Sequence, residues 1–210
     1  MKIGVLGGTG TMGLAIASRL APKHEVLIGS RVVSKAEKFA SDIVGAIGTD
    51  YQSAARKCDS AIVTIPFSSM ALIDPLSEAL SKKLVISTIN PLKVENGLAV
   101  YGLQKGSAAE TLAARLPKSR IATAFNNIPA GFLGQGKLPR IDVLIAANSK
   151  STFEEASFIV ASIPGLRPLY AGPLHEAQAI ERITPLVLNL ASKNRTGSLA
   201  PRFISRGENC

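Results

Sequence analysis

Residues 4–13 read GVLGGTGTMG, and few folds accommodate such a run. An apolar stretch from residue 3 to residue 6 halts at paired glycines, and a helical pattern from Leu14 to Leu20 follows almost at once. Gly8-x-Gly10-x-x-Gly13 in that position, between a first strand and a first helix, is the fingerprint of a dinucleotide-binding βαβ unit. Gly8 allows the tight turn, Gly10 lets backbone N–H groups approach a pyrophosphate, and Gly13 lets the helix pack closely on the sheet. The N-terminus of that helix stabilises the phosphate charge. The Lys-Ser/Thr pair of a Walker A loop is absent, so this is a different kind of phosphate turn.

The rest of the chain carries the pattern forward. Residues 3–6, 24–29, 61–66, 84–89, 120–125 and 142–147 are short, β-branched-rich apolar runs, mostly separated by helical patterns. They are continuous rather than alternating, as strands buried on both faces should be. The expected fold is α/β, a doubly wound parallel sheet of Rossmann type with a small C-terminal helical extension. Residues 1–148 would form the nucleotide-binding domain, and 149–210 a small part completing the second site and a dimer contact. "SKAE" (Ser34 to Glu37) and "SAAE" (Ser107 to Glu110) read as capping boxes. Thr184 reads as an N-cap with Pro185 at the first helical position. Residues 90–106 show neither period and read as a long loop, and the tail from Arg202 reads as frayed.

The second strand ends in an unusual way. A chain that binds NAD places a carboxylate there, to accept from the adenosine ribose hydroxyls. Here Ser30 and Arg31 follow the strand, and Lys35 comes four residues later. A hydroxyl, a guanidinium fork and an ammonium are the donors a dianionic phosphate needs. NADP is therefore the expected nucleotide.

With Ser-Arg-x-x-x-Lys placed after Gly-Gly-Thr-Gly-x-x-Gly, the chain resembles the F420-dependent NADP oxidoreductases. The resemblance spans nearly the whole length, through "VTIPF", "GSAAETLA", "NNIPA", "GLRPLYAGPL" and "TPLVLNLASKNRTGSL". It implies hydride transfer between NADP(H) and the deazaflavin coenzyme F420. It implies that Thr9, Gly10, Thr11, Met12, Ser30, Arg31 and Lys35 hold the nucleotide, with Ile65 and Pro66 under the ribose and Ala130 near the nicotinamide. The deazaflavin would lie against Asn126, Asn127, Ile128 and Pro129 and the segment leading into the last helix. Ring stacking is the main catalytic task in such an enzyme, so no catalytic acid or base is expected. His24 and His175 lack a visible carboxylate partner, which agrees. Many family members have His-Thr where this chain has Asn126-Asn127. The amides could still hydrogen-bond a ring carbonyl, and FMN or FAD, or a ferric chelate, stays open as the acceptor.

Composition limits the alternatives. There are 24 basic and 15 acidic residues, a net charge of +9. The cations are scattered and only 5% of residues are aromatic, which argues against nucleic acid and leaves a solvated surface or attraction of anionic small ligands. No metal site is expected, because Cys58 and Cys210 are isolated, and that isolation suits a reducing cytoplasm. No apolar run reaches the length of a membrane span, and the N-terminus reads as a strand rather than a targeting signal. A dehydrogenase acting on a hydroxy acid or imine would add a large helical domain, and an NADP-binding redox sensor an interaction domain; neither pattern is visible. The final amphipathic helix has few neighbours, so a homodimer is expected.

Overall fold

Strand β1 (Lys2–Leu6) lies between β2 (Glu25–Ser30) and β4 (Ser60–Val63), parallel to both. The computed structural model describes residues 1–134, 136–204 and 206. Outward from β1 the sheet continues through β2 to β3 (Ala46–Asp50) on one side. On the other it runs through β4, β5 (Leu84–Ser87), β8 (Arg120–Thr123), β9 (Ile141–Ala147) and β10 (Leu166–Gly172). From β3 to β8 every pairing is parallel, whereas β9 runs antiparallel to β8 and β10 follows β9. The fold is thus the expected doubly wound α/β sheet, with two mutually parallel strands at one edge that run opposite to the rest. β10 lies beyond residue 148, so the C-terminal part contributes a strand to the main sheet.

Both faces of the sheet are covered. α1 (Thr11–Leu20), α2 (Val33–Ser41) and α6 (Lys150–Ala161) pack on one face, where Ile3, Val5, Ile16, Leu20, Ile62, Ile86 and Ile159 meet. On the other, α3 (Tyr51–Lys57), a 3₁₀ segment (Phe67–Leu76) and α4 (Ala108–Arg115) bury Leu6, Val63, Ile73, Val85 and Leu112. Neighbouring residues of one strand, such as Ile62 and Val63, therefore enter opposite cores, each fully buried. That explains the continuous apolar runs. Burying one such side chain contributes about 1.5–3 kcal/mol.

Several local expectations need correction. The stretch 90–106 holds a hairpin, β6 (Leu92–Glu95) and β7 (Leu98–Tyr101), turning at Asn96-Gly97 with φ of 50° and 75°. Two positive φ values in succession are what this dipeptide favours. Thr184 is not an N-cap. α7 runs unbroken from Ala177 to Asn194, after a 3₁₀ turn (Leu174–Glu176), with Pro185 in its interior. Ser34 is not a cap either, because α2 starts at Val33 and Ser30 Oγ already accepts from the Val32 N–H at 3.2 Å. Ser107 does cap α4, accepting from Glu110 N–H at 3.0 Å. The tail is not free at its start: the Phe203 backbone donates to Asp142 and accepts from Arg167. Cys210 lies outside the described residues.

Candidate active site

Register places the functional segments side by side. Leu6 pairs with Gly29 and with Val63, so the glycine turn, Ser30 and Thr64 leave the sheet together. Ser87 pairs with Thr123, which brings out residues 88–90 and 124–127 next to them. All lie at the carboxyl edge, and the strand order reverses between β1 and β4, where such sheets bind ligands.

On one side of the turn is a cavity of about 240 Å³ lined by Gly7, Thr9, Gly10, Ser30, Arg31, Val32, Lys35, Tyr51, Thr64, Ile65 and Pro66. It gathers residues that the sequence pattern singled out from three separate segments. The left-handed residue of the turn is Gly7, at φ +93°, rather than Gly8. Gly8 is needed because a Cβ there would stand 2.9 Å from Ile28 Cγ2 and from the Val5 carbonyl oxygen. Gly13 is tighter still, 2.6 Å from the Gly7 oxygen, whereas Gly10 is exposed and a Cβ there would meet only the Gly7 oxygen, at 3.3 Å. Gly10 caps α1 without a side-chain bond, so the first-turn N–H groups have no side-chain acceptor and suit a pyrophosphate. Arg31 and Lys35 are exposed, and no ion pair among the described residues engages either. The nearby carboxylate of Asp50 is turned away, accepting from Ser53 N–H at 2.8 Å and Ser53 Oγ at 2.7 Å. These bonds hold its carboxyl below the usual range. No acidic side chain lines this cavity, so a phosphorylated adenosine ribose fits it.

Beyond the turn, Met12, Asn90, Asn126, Asn127, Ile128, Pro129, Ala130, Thr184, Val187 and Leu188 enclose a second cavity of about 160 Å³. Drug-sized ligands occupy about 300–1,000 Å³, so this space takes one face of a ring system, not a whole coenzyme. Thr11 lies apart from both, on a neighbouring groove shared with Thr9 and Ala130. Phe125, at the head of the loop, is fully buried with φ +65°. A bulky residue held in that region costs about 1–3 kcal/mol and tends to occur at functional sites.

The two asparagines line the second cavity, and their amides are also bonded within the protein. Asn126 Nδ2 donates to the Ile89 carbonyl at 3.0 Å, and its Oδ1 accepts from Thr123 Oγ1 at 2.6 Å. Asn127 Nδ2 donates to the Asp142 carbonyl at 2.7 Å. Both are buried, so these amides brace the loop against the segment after β5 and against β9. The Asn126 backbone carbonyl accepts from Asn90 Nδ2 at 2.9 Å and Thr184 Oγ1 at 2.8 Å. Ile128 belongs to the core as well as to the cavity wall, at 2% exposure. The segment expected before the last helix is instead α7 itself, through Thr184, Val187 and Leu188. Asn90, Tyr51 and Thr64 went unnoticed in the sequence, and Thr184 was read only as a helix cap, since only tertiary contact brings them here.

Comparison with known proteins agrees with this geometry. The family model described as "NADP oxidoreductase coenzyme F420-dependent" matches residues 2–91. The F420-dependent NADP reductase of Methanothermobacter marburgensis is 39% identical over 99% of this chain and 100% of its own. That of Methanothermobacter thermautotrophicus is 36% identical over 99% of this chain and 97% of its own. Among solved structures, a protein of Arthrobacter sp. FB24, provisionally assigned as an F420-dependent NADP reductase, superposes with a TM-score of 0.82. It is 21% identical and covers 96% of this chain and 100% of its own. An imine reductase from Streptomyces aurantiacus shares the fold at a TM-score of 0.66 and 18% identity, over 92% of this chain but 64% of its own. With near-full-length relatives at this identity, the chain belongs to the family of F420-dependent NADP reductases.

Proposed function

We infer that the chain is an oxidoreductase that moves a hydride between NADP(H) and coenzyme F420. The observation that carries this is two adjoining cavities at the carboxyl edge, one cationic and free of carboxylates, the other largely apolar. When bound, NADPH offers a hydride at nicotinamide C4 and the deazaflavin accepts it at C5. Ser30, Arg31 and Lys35 hold the adenosine phosphate, and the first-turn N–H groups of α1 with Gly10 hold the pyrophosphate. Ile65 and Pro66 support the ribose, and Met12 and Ala130 mark where the nucleotide passes from one cavity to the other. Ile128, Pro129, Val187 and Leu188 exclude water and fix ring orientation, which for two stacked rings supplies most of the catalysis. Asn126 and Asn127 keep that wall rigid.

The deciding experiment follows NADPH absorbance with F420, FMN, FAD or ferric chelate as acceptor. Fast oxidation with F420 alone is expected; oxidation with the flavins or iron but not F420 overturns the assignment. The unpaired, buried Cys58 supports a reducing, cytoplasmic setting. No helix among the described residues is long and apolar enough to cross a membrane. A homodimer completes the reading. Leu186 and Leu190 on α7 and Leu92, Val94 and Leu98 on the hairpin are exposed, and a two-fold contact would cover them. Sedimentation should show a dimer in the wild type and a monomer when Leu186 and Leu190 are both changed to Glu. A monomeric wild type overturns it.

A further inference from the structure

Away from both cavities, one ionisable side chain joins three elements. Glu181 of α7 is fully buried, at 0% exposure. Its Oε2 accepts from the Ala108 N–H at 2.9 Å and the Tyr101 hydroxyl at 2.8 Å, and its Oε1 from the Ala109 N–H at 3.1 Å. One carboxylate thus ties α7 to the first turn of α4 and to the end of β7. The Tyr101 hydroxyl also lies 3.0 Å from the Gly106 carbonyl, which receives Gln178 Nε2 at 3.0 Å.

A phenol has one proton and serves one of those two acceptors at a time. With Glu181 ionised, Tyr101 donates to it and Gly106 relies on Gln178. With a proton on Oε2, Glu181 donates to Tyr101, Tyr101 donates to Gly106, and both backbone N–H groups keep their acceptors. The neutral cluster is fully satisfied and buries no charge. Burial pushes the Glu181 carboxyl up to about 7, in spite of the Ala108, Tyr101 and Ala109 donors that pull it down. The charged and titratable groups around it are Tyr101 from β7, Glu110 from α4 and Arg182 on α7, stacked 4.6 Å over the Tyr101 ring. Burial raises the Tyr101 phenol, which keeps it protonated.

The cluster is one turn of α7 away from the second cavity. Thr184 bonds Asn126 there, and Val187 and Leu188 form its wall. Pro185 lacks an N–H, so the Glu181 carbonyl loses its usual helical donor. The angle between the two halves of α7 then depends on what each is tied to. For the second half these ties are Thr184 and the two bonds of Asn189 to Ala99 of β7, at 2.8 and 2.9 Å.

We propose that Glu181 is a positioning residue: its protonation seats α7 against β7 and α4, and so sets the cavity wall formed by Thr184, Val187 and Leu188 for the second coenzyme. This rests on the reading of that cavity as the deazaflavin site. The proton comes from solvent and returns to it. The ionised joint keeps its three donors but carries a buried charge, which the protonated joint does not.

Two measurements on wild type and Glu181→Gln test it, since the amide cannot ionise; its NH2 group cannot accept, so one of the two backbone N–H groups loses its acceptor and each protein is compared with itself across pH. In the coenzyme-free protein, hydrogen exchange at the Ala108 and Ala109 amides, corrected for its intrinsic pH dependence, should rise about fivefold from pH 6 to pH 8 in the wild type, the lower end of ordinary coupling, and stay flat in the variant. The same pH dependence in both proteins overturns the switch. In turnover, the KM for F420 should rise about fivefold from pH 6 to pH 8 in the wild type and stay flat in the variant, while the KM for NADPH is the same in both. A variant whose F420 KM is shifted by one factor at every pH would make Glu181 merely structural and overturn the proposal. Leu188→Trp checks the cavity separately: an unchanged F420 KM there removes the site reading, and with it the positioning role, whatever the exchange result.

Discussion

Arg31 and Lys35 face solvent at the rim of the polar cavity, with Ser30 anchored beneath them by Thr9 and the Val32 N–H. A charge-assisted hydrogen bond contributes about 1.5–3 kcal/mol, so Arg31→Ala should weaken NADPH roughly tenfold to a hundredfold and leave NADH nearly unchanged. Titration of both nucleotides decides it, and equal affinities for them in the wild type would sink the reading. The glycines separate just as cleanly. Gly10→Val should keep its circular dichroism and lose nucleotide binding, because a Cβ there would meet only the Gly7 oxygen at 3.3 Å while its branches crowd the start of α1 where the pyrophosphate is expected. Gly13→Ala should damage the fold itself, since its Cβ would press on the Gly7 oxygen at 2.6 Å. At this scale the sequence was readable in one respect: spacing around a strand end is local, and it brings Ser30, Arg31 and Lys35 to one cavity. Spacing does not reveal that the left-handed residue of the turn is Gly7, next to the Gly8 of the fingerprint.

Among the elements, legibility followed burial. Central strands were plain because both faces are apolar. β3 and β10 went unread: they are edge strands, half-exposed, and carry Gly48 and Pro168, which an edge tolerates. The Asn96-Gly97 hairpin was signalled by its turn dipeptide and was passed over because Lys93 and Glu95 blur its apolar pattern. Pro185 was misread as a helix start, since local propensity cannot register Gln178 and Glu181 anchoring the turns before it. The loop after β8 depends on contacts of the same long-range kind. Asn127→Ala removes a tie between that loop and β9 and leaves the Asp142 carbonyl without that donor, at a cost of about 1–3 kcal/mol. A fall of several degrees in Tm is expected, with a lower kcat and an almost unchanged KM for NADPH. An unaltered kcat would show that the loop needs no bracing for catalysis.

For the molecule as a whole, two buried carboxylates shape stability in opposite directions with pH. Burial raises the Asp142 carboxyl, but the Arg167 fork, at 2.6 and 2.9 Å, the Phe203 N–H and the charge of Arg140 outweigh that and leave it below its ordinary 3.8. Its contribution is present above that value and is lost as pH falls through the lower, folded one. Glu181 is shifted the other way, from 4.5 up to about 7. Its contribution is complete below 4.5 and is lost as pH rises through about 7, amounting to about 3 kcal/mol at 1.36 kcal/mol per unit. Neither shift was readable from the sequence, since Asp142 meets Arg167 across neighbouring strands and Glu181 reaches amides 72 and 73 positions away. The wild-type Tm should therefore decline by several degrees between pH 5 and pH 8 relative to Glu181→Gln, which loses that slope and keeps the acid-side fall. Asp142→Asn breaks the pair with Arg167 and should lower stability by about 3 kcal/mol at neutral pH, while flattening the acid limb. Scanning calorimetry of the three proteins from pH 2 to pH 8 measures both limbs at once. A wild-type Tm that climbs from pH 5 to pH 8 against the Gln variant would mean that the ionised Glu181 is the form the fold prefers.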